Sequence, residues 1–240
     1  MIKEITSREN PRVKYAYSLK NPKGRKENHQ FLAEGYKALE LALKAGLVTD
    51  VFTVKEIDNL PININQYICK EDIIEKIAYS TNPEGVVFIS NYVSNKKPSI
   101  MNKVVYLDHI NDPGNMGTII RTALAFNYDA VVISKDSVSI YNEKVVAASK
   151  GAIFLLPIIE SDIKDFDSSF KVIVSTLNDK SIDLNNVKKT DKFVLVLGNE
   201  THGVSEDSIA RANLMVKIPI SNIDSLNVSV AAGILMNYLR

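Results

Sequence analysis

The sequence has few cysteines and histidines and no long apolar run. Its one cysteine, Cys69, excludes an internal disulfide, and no second thiol or histidine stands near it at a metal-ligand spacing. We therefore expect Cys69 to be a small buried residue at a strand end. No apolar run approaches the roughly 20 residues that cross a bilayer, and the N-terminus lacks the apolar stretch of a signal peptide. These absences predict a cytoplasmic protein with no membrane partner.

Several motifs that bind nucleotides or activate a nucleophile are also missing. The chain has no G-x-G-x-x-G after its first strand, no G-x-x-x-x-G-K-[ST] and no G-x-S-x-G. A Rossmann dinucleotide site, a P-loop and a hydrolase nucleophile elbow are therefore not supported. The three histidines, His29, His109 and His202, fall in different predicted elements, so we expect no metal site. His202 is a candidate general base, but no acid stands at triad spacing, which favours an ordinary loop residue.

Basic residues are concentrated at the start of the chain. The net charge is only +1, yet residues 1–26 hold eight basic side chains against two acidic ones, with Tyr15 and Tyr17 among them. Such a cluster suits an RNA phosphate backbone and its bases, and a solvated helix face has the same composition. Both interpretations stay open at this point. The candidate RNA-binding residues are Arg12, Lys14, Lys23 and Arg25.

The residues after this basic leader predict a small α/β domain. "FLAEGYKALELALKAGLVTDVFTV" runs through strand, helix and strand patterns, and Gly46 stands where a left-handed helix end is wanted. "QYICK", "EDIIEKIA" and "GVVFIS" repeat this order. Residues 91–100 are polar, hold Pro98 and lack periodicity, which is typical of a linker. We therefore predict one domain over residues 1–95 and a second over residues 99–240.

The second domain has the pattern of a mostly parallel sheet. Its nearly continuous apolar runs are separated by helix-length segments. The runs are "VVYL", "AVVI", "IFLLP", "KVIVS", "FVLVL" and "LMVKI". Strands that are apolar on both faces indicate a parallel sheet with helices on each side, and such sheets bind ligands at the carboxyl ends of their strands.

The first strand-end loop precedes a helix that carries a single arginine. In "VVYLDHINDPGNMGTIIRTALAF" we predict a helix from Thr118 that Asn127 ends, while Gly114 and Gly117 allow loop conformations that other residues resist. Arg121 would lie about one turn inside this helix and lean back toward its positive start. Together these features suit a phosphate group. A surface arginine paired with a nearby acid explains the same residue.

Two further loops carry polar residues after apolar strands. In "FVLVLGNETHGVS", Gly198 ends a buried strand and Glu200 closely follows it. A carboxylate at the end of a buried strand is costly unless it has a hydrogen-bond or charge partner. Ser205 is the expected cap of the next helix. In "IPISNIDSLNVSVAAGIL", Ser225 or Asn227 caps the last helix. That helix is apolar on more than one stripe, so we expect it to be buried, against its own domain or another subunit. The three loops should converge on one pocket.

Taken in order, the three loops resemble the motifs of the SpoU (TrmH) family of RNA ribose 2′-O-methyltransferases, in the SPOUT superfamily. "NDPGNMGTIIRTA", "LVLGNETHGVS" and "IPISNIDSLNVSVAAGIL" are each weak alone and specific together, and they span much of the second predicted domain. The leader and "FLAEGYKALELAL" more loosely resemble the N-terminal substrate-binding domain of many members, a small α/β/α module.

The resemblance implies a fold, a methyl donor and a set of site residues. It implies S-adenosylmethionine as donor without a metal, and a homodimer formed through the C-terminal domain. It also implies a C-terminal trefoil knot, which general rules of chain topology disfavour. The implied catalytic residues are Asn115, Arg121, Glu200, Ser225 and Asn227. The implied donor-binding residues are Thr176, Gly198, Asn199, Ile218 and Leu226.

The resemblance further implies methyl transfer to a ribose 2′-hydroxyl of structured RNA. The N-terminal domain favours ribosomal RNA, because members that act on transfer RNA often have short helical extensions instead. Arg121 is the family's proposed base, but the permanent positive charge of a guanidinium fits a phosphate anchor better. Two alternatives are a non-catalytic RNA-binding or ribosome-assembly factor, which the intact motifs disfavour, and a base methyltransferase, which the N-x-G-x-x-x-R pattern disfavours.

Overall fold

The computed structural model describes residues 2–94 and 96–240, so the two ends of the predicted first domain lie outside the described residues. The chain divides into two compact units. The first contains the described residues up to Val93 together with Tyr141–Leu155, and the second contains the remainder. The boundary after Val93 falls inside the predicted linker. The segment Tyr141–Leu155 differs from the prediction, which assigned it to the second domain.

The first unit is built on a five-stranded sheet. Its strands are β1 (Ile2–Ile5), β2 (Gln30–Glu34), β3 (Val48–Thr53), β4 (Asn65–Cys69) and β5 (Val86–Asn91). Its sheet order is β1-β4-β3-β5-β2, with β5 antiparallel to β2 and β3 and the other pairs parallel. Its first four helices are α1 (Pro11–Ser18), α2 (Pro22–Asn28), α3 (Tyr36–Lys44) and α4 (Glu71–Ile77). The strands and helices predicted from "FLAEGYK" to "GVVFIS" are confirmed.

The basic leader forms the two short helices α1 and α2, with β1 before them. The side chains of Asn10 and Asn21 each accept a hydrogen bond from the backbone N–H two residues later, and a proline follows each asparagine. Proline suits the first helical position because the N–H that it lacks would be unpaired there. Val13 and Ala16 of α1 pack in the core of this unit. The leader is therefore part of the fold.

The second unit contains a seven-stranded sheet. Its strands are β6 (Lys103–Asp108), β7 (Ala130–Ile133), β8 (Ile158–Glu160), β9 (Lys171–Ser175), β10 (Ile182–Asp183), β11 (Phe193–Gly198) and β12 (Leu214–Lys217). The order is β10-β12-β9-β11-β6-β7-β8, and the pairings among the described residues are all parallel. The predicted mostly parallel sheet is confirmed. The central strands β6 and β11 are buried along almost their whole length, as their apolar sequences require.

Four more helices follow along the chain. They are α5 (Pro113–Ala125), α6 (Glu143–Ser149), α7 (Glu206–Arg211) and α8 (Val228–Leu239). α6 belongs to the segment that packs in the first unit, and the other three belong to the second. α5 and α8 pack against each other. Of the helices in the described part of the chain, none is long and apolar enough to cross a bilayer.

One predicted strand is wrong. The apolar run "IFLLP" (153–157) begins inside a 3-10 helix, Ala152–Phe154, and β8 starts only at Ile158. Phe154 lies in the core of the first unit, where its ring stacks on that of Phe31 with the centroids 5.9 Å apart. An apolar run indicates burial, but it does not by itself distinguish a strand from another buried segment.

The helix α5 begins five residues earlier than predicted, at Pro113. Asp112 caps it, because its Oδ1 accepts a hydrogen bond from the backbone N–H of Asn115 at 2.7 Å. Gly114 and Gly117 are therefore helical and do not have the unusual backbone angles that we expected. The Asp-Pro pair is a signal for this helix start, since aspartate is a good cap and proline a good first residue.

A buried carboxylate joins the end of β6 to the start of α7. Asp108 Oδ2 accepts hydrogen bonds from the backbone N–H of Ser205 at 2.7 Å, from its hydroxyl at 2.8 Å and from the hydroxyl of Ser208 at 2.7 Å. Ser205 is also the cap of α7, as predicted, and accepts from the N–H of Ser208. The loops after β6 and β11 are thereby held side by side.

We predict that Cys69 is unreactive in the folded protein. It ends β4, as the sequence analysis expected, and burial raises the pKa of its thiol to about 11. Relative to an ordinary thiol of pKa 9.0, the reactive thiolate is therefore about 100-fold rarer at neutral pH. Intact-mass measurement should show slow alkylation by iodoacetamide at neutral pH and rapid alkylation in guanidinium chloride. Equal rates in both conditions would contradict the burial of this residue.

Candidate active site

The loops after β9, β11 and β12 surround one cavity in the second unit. The cavity has a volume of about 550 Å³, within the range of about 300–1,000 Å³ that is usual for small-molecule sites. The implied site residues that line it are Thr176, Gly198, Asn199, Glu200, Ile218, Ser225, Leu226 and Asn227. The structure therefore brings together the implied residues of the second and third loops with Thr176, as the convergence of strand ends predicts.

The loop after β11 is a tight turn that only glycine permits. A Cβ atom at Gly198 would lie 2.4 Å from the carbonyl carbon of Gly203. Asn199 then orders the turn, since its Oδ1 accepts from two backbone N–H groups of the same turn at 2.8 and 3.1 Å. Its Nδ2 donates to the carbonyl oxygen of His109 at 2.8 Å. One amide thus fastens the second loop to the first.

Three of the implied catalytic residues are joined by hydrogen bonds. Asn115 Nδ2 donates to Glu200 Oε1 at 2.8 Å, and Asn227 Nδ2 donates to Asn115 Oδ1 at 3.0 Å. Each residue comes from a different loop or helix start, so the three motifs meet at Asn115. Glu200 is exposed, which removes the burial cost that we took as the reason for its partner. Its observed hydrogen bond nevertheless links α5 to the loop after β11.

Asn227 has two structural tasks. As the cap of α8, its Oδ1 accepts from the backbone N–H of Ser229 at 2.9 Å and of Val230 at 3.4 Å. Because the oxygen is held by the cap, the amide nitrogen is available for Asn115. Ser225 stands two residues earlier and lines the cavity without being the cap. Capping therefore accounts for the oxygen of the Asn227 amide but not for its nitrogen, which donates to Asn115.

Arg121 is exposed, and none of the described residues pairs with it or accepts a hydrogen bond from it. It lies about two turns inside α5, about 12 Å from the helix start at a rise of 1.5 Å per residue, and not one turn as predicted. Gly117 and Gly114 precede it by four and seven residues, on the same stripe of the helix.

The pair formed by Asp108 and His109 was not predicted from the sequence. His109 Nδ1 lies 2.7 Å from the buried carboxylate of Asp108, and its Nε2 lies 3.8 Å from Asp136. The φ angle of His109 is 58°, in the left-handed region that favours glycine. The available signal was a charged residue directly after the apolar run "VVYL". Among the described residues, no group of three or more His, Cys, Asp or Glu side chains is arranged to hold a metal ion.

One candidate RNA-binding residue of the leader is a structural residue. Arg25 is buried, and its Nη1 donates to the carbonyl oxygens of Leu19 at 3.2 Å and Lys20 at 2.9 Å. These bonds satisfy carbonyl groups at the end of α1 that have no partner inside the helix. We therefore withdraw Arg25 from the candidate RNA surface. A buried arginine cannot be distinguished from an exposed one by composition alone.

The other three candidates of the leader remain partly or fully exposed. Lys14 pairs with Glu9 at 2.8 Å, and Lys23 lies 3.9 Å from Glu27, with all four side chains largely in solvent. Pairs of this kind are weak and are easily exchanged for another anion. Arg12 is different, because its side chain is 44% exposed while its guanidinium is held from the protein side.

Comparisons with known proteins cover the whole chain. The chain is 29% identical over 248 residues to the Bacillus subtilis 23S rRNA (guanosine(2553)-2′-O)-methyltransferase RlmP, with all of both chains aligned. It is 29% identical to an AdoMet-bound rRNA methyltransferase from Sinorhizobium meliloti, with a TM-score of 0.89 over 100% of this chain and 97% of the other. The SpoU methyltransferase AviRb from Streptomyces viridochromogenes, 22% identical over 96% of this chain and 97% of its own, has the same fold with a TM-score of 0.83.

Two family profiles match the chain, one in each part. The MRM3-like substrate binding domain matches residues 10–87. The SpoU rRNA Methylase family matches residues 102–237, which is more than half of the chain and includes the three loops of the cavity. The chain therefore belongs to the SpoU rRNA methylase family.

Proposed function

We propose that this protein transfers a methyl group from S-adenosylmethionine to a ribose 2′-hydroxyl of ribosomal RNA. The observation that carries this proposal is the cavity of about 550 Å³, with Asn115 bonded to two residues of its wall. Ribosomal RNA is favoured over transfer RNA because the B. subtilis relative, named for 23S rRNA, aligns over the full length of both chains. The unit that precedes the methylase region also matches a substrate-binding domain.

The wall of the cavity suits S-adenosylmethionine. Ile218, Ile220 and Leu226 offer apolar surface to a purine ring, and Gly198 leaves the backbone accessible. The carboxylate of Glu200 lies on the same wall and suits a positively charged sulfonium. The residues proposed to hold the donor are Thr176, Gly198, Asn199, Ile218 and Leu226. The bound donor supplies a methyl group already activated by its positive sulfur, so we propose no metal.

The remaining site residues position the RNA. Asn115, Ser225 and Asn227 orient the ribose, and Glu200 holds Asn115 by the hydrogen bond described above. Arg121, which has no partner among the described residues, binds the phosphate next to the reacting ribose. It acts as an anchor and not as the base, because its planar guanidinium matches the oxygen atoms of a phosphate group. The proton of the 2′-hydroxyl passes to solvent as the oxygen gains the methyl group. Fixing the 2′-oxygen in line with its target removes much of the barrier to reaction.

We also propose a homodimer formed through α8. This helix buries Ala232, Leu235 and Met236 against its own unit, yet Val230 is 51% exposed and Ile234 is 40% exposed. The two exposed residues are four apart and share a helix face. An apolar face of this kind is typical of a protein interface. A trefoil knot in the second unit and a cytoplasmic location, where ribosomal RNA is found, are further proposals that rest on the family.

A non-catalytic RNA-binding or ribosome-assembly factor is the second candidate. Its supporting observation is the basic leader, since the exposed lysines of α1 and α2 could bind RNA in a non-catalytic factor as well as in a methyltransferase. Such a factor needs no cavity for a methyl donor. Donor binding therefore separates the two candidates.

We predict that the protein binds S-adenosylmethionine in calorimetry and that Arg121→Ala binds it with similar affinity. The same substitution should lower methyl transfer to ribosomal RNA from a deletion strain by about 10²–10³-fold, as expected when one anchor of the transition state is lost. Transfer is measured with a radiolabelled methyl group. Absence of donor binding, with or without RNA, would favour the assembly factor. Normal transfer by Arg121→Ala would contradict the anchoring role.

We predict that the double charge reversal Lys14→Glu and Lys23→Glu weakens RNA binding. The slope of log affinity against log salt concentration should decrease by about 0.7–0.9 for each phosphate group that the variant no longer binds. Filter binding across a salt series measures this slope. Lys55→Glu with Lys70→Glu is the matched control, since both lysines are exposed outside the leader. An unchanged slope in the leader variant would mean that α1 and α2 only present a solvated face.

We predict that Val230→Glu with Ile234→Glu converts a dimer to a monomer, because two charges would enter an apolar interface. Light scattering after size-exclusion chromatography measures the mass. Ile62→Glu is the control, because Ile62 is an apolar residue that is 96% exposed in the first unit. A wild-type protein that is monomeric at all concentrations tested would refute the proposed dimer.

A further inference from the structure

Arg12 is held in a fixed orientation at the surface of the first unit. Its Nη2 donates to Asp50 Oδ1 at 2.7 Å, and its Nε donates to the hydroxyl of Tyr67 at 3.0 Å. Asp50 is buried, so the carboxylate that orients the guanidinium is itself fixed. The hydrogen bond with Tyr67 raises the pKa of Arg12 further above its ordinary value. Nη1 donates to none of the described residues and is free for a ligand.

A cavity of about 440 Å³ lies beside this arginine and is lined by four amide side chains. They are Gln30, Asn63, Asn65 and Asn91. Gln30 accepts from the hydroxyl of Tyr15 at 2.6 Å and donates to Asn91 Oδ1 at 2.8 Å. Asn65 Nδ2 donates to Asp50 Oδ1 at 3.2 Å. These bonds leave the Asn91 amide nitrogen and the Asn65 oxygen without a partner among the described residues.

Asn63 adds a complete amide to the same cavity. It is exposed, and its side chain forms no hydrogen bond with the described residues. The fold therefore does not require it. The aromatic ring of Tyr15 lies on the cavity wall as well, with the Arg12 guanidinium 5.7 Å from its centre. The cavity thus combines amide groups, one oriented arginine and one aromatic ring.

This combination fits the edge and face of an unpaired nucleobase. Amide side chains match the paired donors and acceptors of base edges, and the Nη1 group of Arg12 can donate to an acceptor atom of a base. RNA-binding proteins recognise unpaired bases by such hydrogen bonds together with stacking on aromatic or guanidinium planes. A bare phosphate fits less well, because the carboxylate of Asp50 lines the same cavity. Apart from Val48 and the ring of Tyr15, the side chains of this cavity are polar and offer little to an apolar peptide.

We propose that this cavity of the first unit binds one unpaired base of the RNA substrate. Arg12, Tyr15 and the four amides would read that base, in addition to the lysines that bind the backbone. The proposal rests on the proposed function, because it takes RNA as the substrate. It divides the leader into Arg12, which contributes sequence preference, and Lys14 and Lys23, which contribute salt-dependent affinity.

The test measures, by fluorescence anisotropy, the binding of the full-length protein to three fluorescein-labelled RNA decamers. One contains only adenine, one only cytosine and one only uracil. A guanine-containing mixed decamer completes the set. We expect the wild type to prefer one base, and Asn63→Ala to lower the affinity for that oligonucleotide by about fivefold or more, with little change for the others. Asn82→Ala, at another exposed asparagine of the first unit, is the matched control. Arg12→Lys should reduce the same preference while it keeps the charge.

Equal binding of all four oligonucleotides, or a loss in Asn63→Ala that is uniform across them or shared by Asn82→Ala, would overturn the proposal. Thermal unfolding of each variant is measured in parallel, so that a loss of folding is not taken for a loss of base reading. Methyl transfer to ribosomal RNA is measured on the same wild-type preparation. Transfer without base preference would refute this cavity and leave the proposed function intact. Failure to bind S-adenosylmethionine would refute the proposed function instead.

Discussion

The site depends on the carboxylate of Asp108. A buried carboxylate without partners is costly, and here Oδ2 receives three hydrogen bonds from the first turn of α7. The negative charge of this carboxylate also interacts favourably with the positive N-terminal end of the α7 dipole. Because Asp108 ends β6 and α7 follows β11 in sequence, this one side chain holds two strand-end loops against each other. The hydrogen bonds of Asn199 and Asn115 then form between loops that are already adjacent.

The loops are joined mainly by amides, and the reason is chemical. An amide has a donor and an acceptor at one end of a short side chain, so Asn115 can accept from Asn227 and donate to Glu200 at once. Asn227 does the same between its helix cap and Asn115. An aspartate at these positions can only accept hydrogen bonds and would leave one neighbour without a partner. Arg121 remains outside this network and is free for a ligand.

The first unit uses two arginines of the leader in opposite ways. The Nη1 group of Arg25 is directed inward onto backbone carbonyl oxygens, where it closes the end of α1. Arg12 is held by Asp50 and Tyr67 but keeps almost half of its side chain in solvent. A rigid, exposed guanidinium loses little rotamer freedom when it binds a ligand, which makes it a better recognition group than a free lysine. Their positions relative to the core, and not their charge, decide these roles.

The sequence by itself determined the order of most strands and helices, the parallel sheet and the three loops, because apolar periodicity and cap residues are local properties. The start of α5 was also encoded locally, in Asp112 and Pro113, although we placed it too late. Only the tertiary structure decided that "IFLLP" is no strand, since its partner Phe31 is more than a hundred residues away. It alone decided the burial of Arg25 and the bonds of Asn115. Contacts between residues distant in sequence have no local signature, so spacing could predict the loops but not which side chains meet.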